Sequence, residues 1–406
     1  MFRVKFFLPV LFIVACADRG AQQSEADEGP VVLRIMEFNV EDVRTTDLLD
    51  PEHPRLVQAA SIIQSLRPDI LMLSEVAYDY EGVTGYDERV GEGANGLRLT
   101  RDFLSRSQSE GLSPIQYQYF AAPTNTGVSS GLDLDNSGAA VTVFPAPQAS
   151  NEAGEPPRQT AAERSYGNDA WGFGTFPGQY GMLLLVRDGI EIQREDIRTF
   201  QLFPWSTMPG ALIPADESGK HWYSDEEWRL LRLSSKSHWD VPVKLENGSI
   251  IHLLLSHPTP PAFDGPEGRN KKRNHDEIRF WGDYIDGADY IVDDTGRSGG
   301  LEPTSHFVIM GDLNADLDEG SSIDDPVGRF LVSSERVNGD VSPAADSAGQ
   351  ARYERLDPDD TAQWGLRVDY VLPSSKLKVI DSGVYRPDAY VVSDHFPVWI
   401  DVEVDQ

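Results

Sequence analysis

The stretch Phe307-Val-Ile-Met-Gly-Asp-Leu-Asn-Ala-Asp316 is the strongest single indication of the fold. Its apolar run, 307–310, is bounded by Gly311, which is typical of a buried strand that ends in a turn. Asp312 and Asn314 follow directly, and alternation places both on one face, about 7 Å apart at ~3.3 Å per residue. A carboxylate and an amide at a strand end suit a hard divalent cation and a phosphate oxygen. The alternative is a strand that ends in an ordinary polar turn.

The composition is that of a folded, strongly acidic protein. The 406 residues are 40% hydrophobic and 10% aromatic, which is typical of a globular chain of one large domain or two ordinary ones. The formal net charge of −31 predicts repulsion of long polyanions unless a cation or a local basic patch intervenes. The nearest approach to a basic run is Arg269-Asn-Lys-Lys-Arg273. Long nucleic acid is therefore not the favoured partner.

The N-terminus has the pattern of an export signal. Arg3 and Lys5 precede the apolar run 6–14, which is too short to span a bilayer as a helix. The run ends in Ile13-Val-Ala-Cys16, which resembles a bacterial lipobox and implies cleavage before Cys16 and lipidation of its sulfur. The alternative is an ordinary secretory signal that contains a cysteine by chance.

The expected domain organisation follows from this pattern. We expect a lipoprotein signal peptide at 1–15, a flexible tether at 16–30 and a catalytic domain at 31–406. A chain with one cysteine can form no internal disulfide. Ala17 follows the cysteine, which in a Gram-negative cell directs a lipoprotein to the outer membrane. We therefore expect a monomer that is lipid-anchored outside the cytoplasm, at the outer membrane or cell surface.

Hydrophobic periodicity predicts a mixed α/β domain. Helices are expected at 54–66, 97–105 and 274–285, and strands at 31–39, 69–75, 181–186, 248–255, 307–310, 368–372 and 398–402. The segment 122–180, rich in Gly, Ser, Asn, Pro and Ala, is predicted to be an insertion that is either functional or disordered. The Trp-rich segment 203–234 is a second predicted insertion, either a specificity wall over one end of the sheet or a subdomain with its own small core.

Polar side chains recur where the predicted strands end or beside them. They are Asn39, Glu75, His257, Asp312, Asn314, Asp369, Asp394 and His395. Each alone has an ordinary explanation, such as a structural histidine or a solvated carboxylate. Open sheets place their chemistry in the crevice beyond strand ends, so the whole set indicates one active site.

The order of these residues resembles that of the endonuclease/exonuclease/phosphatase superfamily, which has the DNase I-like fold. The resemblance runs over most of residues 31–403, and the Gly-Asp-Leu-Asn-Ala-Asp and Ser-Asp-His motifs are the most specific. The motifs are Phe38-Asn39-Val-Glu41, Leu73-Ser-Glu75-Val76, Ser256-His257-Pro258, Gly311-Asp312-Leu-Asn314-Ala-Asp316, Val368-Asp369-Tyr370-Val371 and Ser393-Asp394-His395-Phe-Pro397. The resemblance implies a four-layer α/β/β/α sandwich, in which two mostly antiparallel sheets pack face to face with helices outside. It also implies phosphoester hydrolysis that depends on Mg²⁺ or Mn²⁺.

The resemblance further implies the metal ligands and the general base. Glu75 is expected to be the principal metal carboxylate, with Asn39 beside it. Asp394 is expected to be a ligand or an outer partner of the same metal. His395 is expected to be the general base, or to orient the attacking water, with Asp312 holding or activating that water.

The remaining implied roles concern the phosphate. His257 and Asn314 are expected to contact the phosphoryl oxygens, while Asp369 orients His257 or a second metal. The chain departs from the nucleases of the superfamily where those have a short Ser-Arg-Glu-Pro stretch. At that place Lys236 and His238 are candidate phosphate ligands, and the alternative is a turn before a strand.

A separate motif, Asp133-Leu-Asp-Asn-Ser-Gly138, resembles the first half of an EF-hand calcium loop. Its oxygen ligands alternate, and the glycine suits the sharp turn. Position twelve of that frame is Phe144 rather than Glu, so a complete EF-hand is absent. Asp133, Asp135 and Ser137 are candidates for a structural Ca²⁺ site, and the alternative is an Asx-rich turn.

Three functions are consistent with these patterns. The first is an extracytoplasmic, metal-dependent phosphoesterase that acts on a small phosphodiester or phosphomonoester. The second is an extracellular nuclease, which the acidity of the chain disfavours. The third is a non-catalytic binding lipoprotein, which has no need of Glu75, His257, Asp312 and His395 together.

Overall fold

The structure, a computed structural model, describes residues 30–405 of the chain. The predicted signal peptide, Cys16 and all of the predicted tether except Pro30 lie outside the described residues. The strands are β1 Val31–Val43, β2 Ile70–Val76, β3 Tyr117–Phe120, β4 Met182–Arg187, β5 Glu191–Ile192, β6 Arg198–Thr199, β7 His238–Lys244, β8 Ile250–Ser256, β9 His306–Asp312, β10 Asp369–Pro373, β11 Lys378–Val384 and β12 Val398–Val404. The helices are α1 Thr45–Leu48, α2 Pro54–Leu66, α3 Asn95–Arg98, α4 Ala161–Asn168, α5 Asp225–Leu230, α6 Arg269–Ile285 and α7 Ser347–Arg352. Within residues 30–405, no helix has the length and apolarity that crossing a membrane would require.

The strands form two sheets. The first has the order β11-β12-β1-β2-β4-β3, and the second has the order β10-β9-β8-β7-β5 with β6 also paired to β7. Among the described strands, the β1–β2 and β8–β9 pairs are parallel and the other pairs are antiparallel. The prediction of two mostly antiparallel sheets is confirmed.

Three hydrophobic clusters define the stacking of the layers. The central cluster lies between the two sheets and includes Ile35, Met72, Val308 and Met310. A second cluster joins the outer face of β8 and β9 to α6 and includes Leu254, Ile278, Trp281, Phe307 and Ile309. A third joins the outer face of β1 and β2 to α2 and includes Phe38, Leu56, Ala60, Ile63 and Leu71. The layers therefore run helix, sheet, sheet, helix, as predicted.

The outer helices form where the apolar spacing predicts them. Helix α2 has the predicted bounds, begins with Pro54 at its first turn and ends at Arg67, whose φ is 51°. Helix α6 begins earlier than predicted, at Arg269, and buries Ile278, Trp281 and Ile285 on one face. The predicted helix at 97–105 is divided into α3 and a π-helical segment at Leu99–Leu104.

The segment 122–180 packs against the end of β1. The carbonyl oxygen of Gln148 accepts a hydrogen bond from Arg44 Nη1 at 2.6 Å, and that of Gly154 accepts one from Arg55 Nη1 at 2.9 Å. The segment contains α4, from which the Tyr166 hydroxyl donates to a backbone carbonyl at 2.6 Å. Of the two predicted alternatives, the disordered one does not describe this segment.

The Trp-rich segment 203–234 covers α6. Phe203, Trp205 and Tyr223 belong to the same hydrophobic cluster as α6, and Trp205 Nε1 donates to Asp276 Oδ2 at 2.7 Å. Its apolar side chains therefore extend the outer core of the second sheet. They form no separate core, and the buried Trp205 is not available as a wall for substrate.

Gly311 offers a direct test of the close approach between β8 and β9. Its φ is 150°, and a Cβ at this position would lie 1.8 Å from the carbonyl oxygen of Ser256. We expect Gly311→Ala to lower the free energy of unfolding by about 3–5 kcal/mol, because the two backbones must separate. Gly111→Ala is the matched control. Gly111 has a φ of 89°, and a Cβ at this position would have no atom within 4 Å. Urea unfolding should give a loss of only about 1 kcal/mol for the control, and equal losses would contradict the contact.

Candidate active site

The sheet register gathers the predicted site residues at one edge. Strands β1 and β2 are parallel, so Asn39 and Glu75 lie near their common end. Strand β10 begins where β9 ends, and Asp369 pairs directly with Asp312. His395 precedes β12, which is antiparallel to β1 and therefore starts at the edge where β1 ends. The strand-end residues come together because parallel strands end, and their antiparallel neighbours begin, at the same edge of a sheet.

Asn39 connects the two principal carboxylates. Its Nδ2 donates to Glu75 Oε1 at 3.2 Å and to Asp312 Oδ2 at 3.0 Å. Its Oδ1 accepts the Glu41 N–H at 2.9 Å, and the Asp42 N–H donates to Glu75 Oε2 at 2.9 Å. Asn39 lies beside Glu75, as predicted. It orients the carboxylates through its amide nitrogen, and its oxygen faces the backbone.

The backbone around these groups is strained. Glu41, Asp42, Glu75 and Asn314 have φ values of 51°, 44°, 69° and 53°. Such conformations cost about 1–3 kcal/mol each for residues other than glycine and concentrate at functional sites. Gln179, at the end of the segment 122–180, holds Asp42 by donating to both carboxylate oxygens at 3.0 and 2.9 Å. The insertion therefore helps to support the Glu75 end of the site.

His395 is surrounded by carboxylates. Its Nδ1 lies 2.8 Å from Asp369 Oδ2, and its Nε2 lies 3.8 Å from both Asp312 Oδ2 and Asp394 Oδ1. Burial lowers the pKa of His395, but the Asp369 and Asp312 carboxylates outweigh it and raise the pKa well above its usual value. The implied pairing of Asp369 with His257 is corrected, because Asp369 contacts His395 and fixes that ring.

Further hydrogen-bond donors lie close to Asp312. His257 Nε2 lies 3.4 Å from Asp312 Oδ2. Lys236 Nζ and Asn314 Nδ2 both donate to the carbonyl oxygen of Pro258, at 3.3 and 3.1 Å. Burial lowers the pKa of His257 well below its usual value, and the nearby Lys236 adds to this effect. His257, Lys236 and Asn314, all candidate phosphate ligands, therefore place neutral and cationic donors beside the carboxylates.

His238, the other candidate phosphate ligand, is not placed with these donors. Its Nδ1 lies 3.1 Å from Ser234 Oγ, and its Nε2 lies 2.9 Å from the carbonyl oxygen of Glu277. The ring packs against Phe280 and Trp281 in the outer core. Burial lowers its pKa to about 4. Both ring nitrogens are engaged within the protein, so the prediction that His238 binds phosphate is wrong. The turn at 234–237 does precede a strand, β7.

The carboxyl groups of the site suit a hard cation. Burial raises the pKa of Asp312 to about 7, with Asp369 and Glu75 adding to the effect against His395. Burial also raises the pKa of Glu41 to about 7, and Asp394 adds to it. Ligand atoms of Glu75, His257 and Asp312 lie within 4.8 Å of one another. Oxygen ligands of this kind fit Mg²⁺ or Mn²⁺, and Glu75 and Asp312 are the groups that would hold it.

Asp394 lies on the outer side of His395. Its side chain is 50% exposed, and it belongs to neither compact group of potential metal ligands that includes Asp312. Those groups are Glu75 with His257 and Asp312, and Asp312 with Asp369 and His395. The described geometry therefore supports Asp394 as an outer partner rather than as a direct ligand beside Glu75.

Glu37 is a site residue that the sequence reasoning missed. Ser74 Oγ donates to its Oε1 at 2.9 Å, while its Oε2 and Asp369 Oδ1 are buried without a donor. Burial and the Asp369 carboxylate raise the pKa of Glu37 well above its usual value, which favours the neutral acid. A proton on Glu37 would supply the missing donor to Asp369. Alternation was the available signal, because Glu37 interrupts the inward apolar face of β1 two residues before Asn39.

The calcium-like motif forms a compact turn. The Ser137 N–H donates to Asp133 Oδ1 and Asp135 Oδ1 at 2.9 Å each. Asp169, which the sequence reasoning missed, brings a ligand atom within 4.8 Å of those of the two aspartates. Its oxygens accept backbone N–H groups, including that of Leu134 at 2.8 Å. The Asx turn is present, and a structural Ca²⁺ at this place stays a prediction.

The Asp369–His395 pair leads to a prediction about pH. A histidine acts as a base when it is neutral, so kcat/KM should rise with pH through the pKa of His395. Asp369→Asn removes the charge that raises this pKa, so we expect the rising limb to move to lower pH and the maximal rate to fall. Glu37→Gln is the matched control, because it changes the buried side chain on the other side of Asp369 and leaves the Asp369 charge and its contact with His395 in place. If the rising limb of kcat/KM lies at the same pH in Asp369→Asn as in the wild type, the pairing of Asp369 with His395 is contradicted.

The comparison with known proteins agrees with the geometry. The model of the endonuclease/exonuclease/phosphatase family matches residues 47–395. No curated protein matches the chain significantly. Among solved structures, an endonuclease/exonuclease/phosphatase from Beutenbergia cavernae DSM 12333 is 16% identical with a TM-score of 0.46, over 92% of this chain and 72% of that one. The human Nocturnin catalytic domain with bound sulfate is 16% identical with a TM-score of 0.44, over 93% of this chain and 95% of that one.

A third solved structure is an endonuclease/exonuclease/phosphatase from Bacteroides vulgatus. It is 13% identical with a TM-score of 0.42, over 92% of this chain and 99% of that one. Identities and scores this low assign no substrate, so the assignment rests on the family match over most of the chain. The chain belongs to the endonuclease/exonuclease/phosphatase family, whose members hydrolyse phosphoester bonds.

Proposed function

We propose that this protein is a Mg²⁺- or Mn²⁺-dependent phosphoesterase that hydrolyses small phosphodiesters or phosphomonoesters outside the cytoplasm. The observation that supports it is the convergence of carboxylates and hydrogen-bond donors around Asp312. Glu75 and Asp369 supply carboxylates, and His257, Lys236 and Asn314 supply donors. The export and lipid anchoring through Cys16 rest on the sequence pattern alone.

The residues of the site can perform the hydrolysis in distinct roles. Asp369 accepts the Nδ1–H of His395, which leaves Nε2 to take a proton from the attacking water. His257, Lys236 and Asn314 would donate hydrogen bonds to the phosphoryl oxygens as charge spreads over them. A divalent cation held by Glu75 and Asp312 would supply charge neutralisation.

Hydrolysis of a small panel tests the proposal. The chain beginning at Ala17 should hydrolyse at least one of bis-p-nitrophenyl phosphate, p-nitrophenyl phosphate, plasmid DNA and a choline phospholipid. We expect the activity to disappear in excess chelator and to return with Mg²⁺ or Mn²⁺, because the Asp312 and Glu75 carboxylates need a counter-charge. Full activity in excess chelator would contradict metal dependence.

The DNA arm of the panel separates a small-ester enzyme from a nuclease. A nuclease contacts several phosphates and shows a steep fall of DNA affinity with salt, whereas an enzyme for small esters shows almost none. The net charge of −31 favours the second result. Absence of turnover on every member of the panel would instead favour the binding lipoprotein.

A further inference from the structure

A cavity of about 440 Å³ opens beside the general base. It is lined by Arg355, Leu356, Gln363, Trp364 and Gly365. Its position is set by backbone pairing, because Ala362 bridges to His395 and the Gln363 N–H donates to the Asp394 carbonyl oxygen at 2.8 Å. The volume is within the range of small-molecule sites. None of the lining residues has a role in the site described above.

Trp364 forms the aromatic wall of this cavity. Its ring centroid lies 5.0 Å from that of His395, with the planes at 87°. The chain has eight tryptophans, all of them within residues 30–405. Trp364 is the only one of them that is exposed, with 51% of its surface accessible. The ring is therefore held against the general base while much of its surface remains open to a ligand.

Arg355 supplies a positive charge to the same cavity. Its Nη2 donates to the Gln363 carbonyl oxygen at 3.3 Å, and it forms no ion pair within the described part of the chain. Its guanidinium therefore adds a positive charge to the cavity lining in a chain with 66 acidic and 35 basic residues. Aromatic and guanidinium groups together stack well on planar rings. They suit a cationic head group less well, since Arg355 would repel it.

We propose that this cavity binds a planar aromatic or heteroaromatic group attached to the scissile phosphate. The inference rests on the proposed function, and it names the substrate class for that site. A phosphate beside His395 places its substituent within a few bonds of Trp364, whose exposed face can stack on the ring. The planar ring can belong to a nucleoside or to a simple phenol, and the assay below separates the two.

Four phosphomonoesters and two variants test the subsite. Adenosine 5′-monophosphate and phenyl phosphate carry a planar ring, whereas glycerol 1-phosphate and phosphocholine do not. The wild-type chain beginning at Ala17, Trp364→Ala and Trp364→Phe are assayed with Mn²⁺. Each kcat/KM is expressed as the ratio of wild type to variant, because this ratio cancels the reactivity of the leaving group.

We expect Trp364→Ala to lower the preference for adenosine 5′-monophosphate over glycerol 1-phosphate about tenfold, mainly through KM, because one stacked base is lost. Trp364→Phe should restore most of that preference. A larger effect for adenosine 5′-monophosphate than for phenyl phosphate identifies a nucleoside, and equal effects identify any aryl ring.

Three results would overturn the subsite. The first is an equal loss of kcat on all four esters in Trp364→Ala, because that would make Trp364 a positioning residue for His395. The second is a wild-type preference for phosphocholine that depends on Trp364. The third is calorimetric binding of adenosine 5′-monophosphate no tighter than that of glycerol 1-phosphate. Calorimetry also separates the two proposals, because Trp364-dependent nucleotide binding without any turnover would support the subsite and contradict the proposed function.

Discussion

His395→Ala should lower turnover by about 10²–10⁴-fold, the usual contribution of a general base. The structure explains the size of this effect, because His395 Nδ1 is held by Asp369 and its Nε2 faces Asp312. The fold should survive, since the Tyr390 hydroxyl donates to the backbone carbonyl of His395, and this bond does not require the imidazole. Initial rates on the best member of the panel, at saturating Mn²⁺, provide the measurement.

A matched histidine variant makes this result specific. His221 is exposed and lies in the segment 203–234, which packs on α6 and not at the active site. His221→Ala should therefore retain wild-type turnover, and circular dichroism should be the same for both variants. Wild-type rates in His395→Ala would remove this residue from the mechanism, and a lost near-ultraviolet spectrum would assign the defect to folding.

Glu75→Gln should lower turnover by at least about 10²-fold and weaken the response to metal, because the cation loses its principal negative ligand. Glutamine keeps the shape of the side chain and can still accept the Asp42 N–H hydrogen bond at Oε. The variant therefore removes the charge and the acceptor of the Asn39 Nδ2–H, with little change in side-chain volume. Titration of Mn²⁺ into the chelator-treated protein, followed by activity and by calorimetry, gives the metal affinity independently of turnover.

Glu191→Gln is the control for the loss of one negative charge. Glu191 is an exposed residue of β5, at the far side of the second sheet from β9. It should bind Mn²⁺ and turn over substrate as the wild type does. Wild-type Mn²⁺ affinity and turnover in Glu75→Gln would show that Glu75 is not the principal metal carboxylate.

The long elements could be predicted from the sequence because their apolar spacing is regular. Helix α2 has an uninterrupted apolar face with Pro54 at its start, so its bounds are read directly from the chain. The buried run of β9 ends at Gly311, where only a glycine fits against β8. Strands β3, β5, β6 and β11 were not predicted. They are short or carry few buried side chains, and their pairing depends on residues far away in the chain.

The sequence by itself determined which residues gather at the site, because parallel strands end, and their antiparallel neighbours begin, at the same edge of a sheet. These residues are Asn39, Glu75, His257, Asp312, Asn314 and His395. Only the tertiary structure decided which of these side chains contact one another. Asp369 turned out to hold His395 rather than His257, and His238 proved to be enclosed in the outer core. Residue types and spacing specify which groups reach an edge, whereas burial and distances of a few ångströms set their partners and their pKa values. Those distances arise from packing between segments that are tens to hundreds of residues apart in the sequence, as in the Asp369–His395 and Asn39–Asp312 contacts.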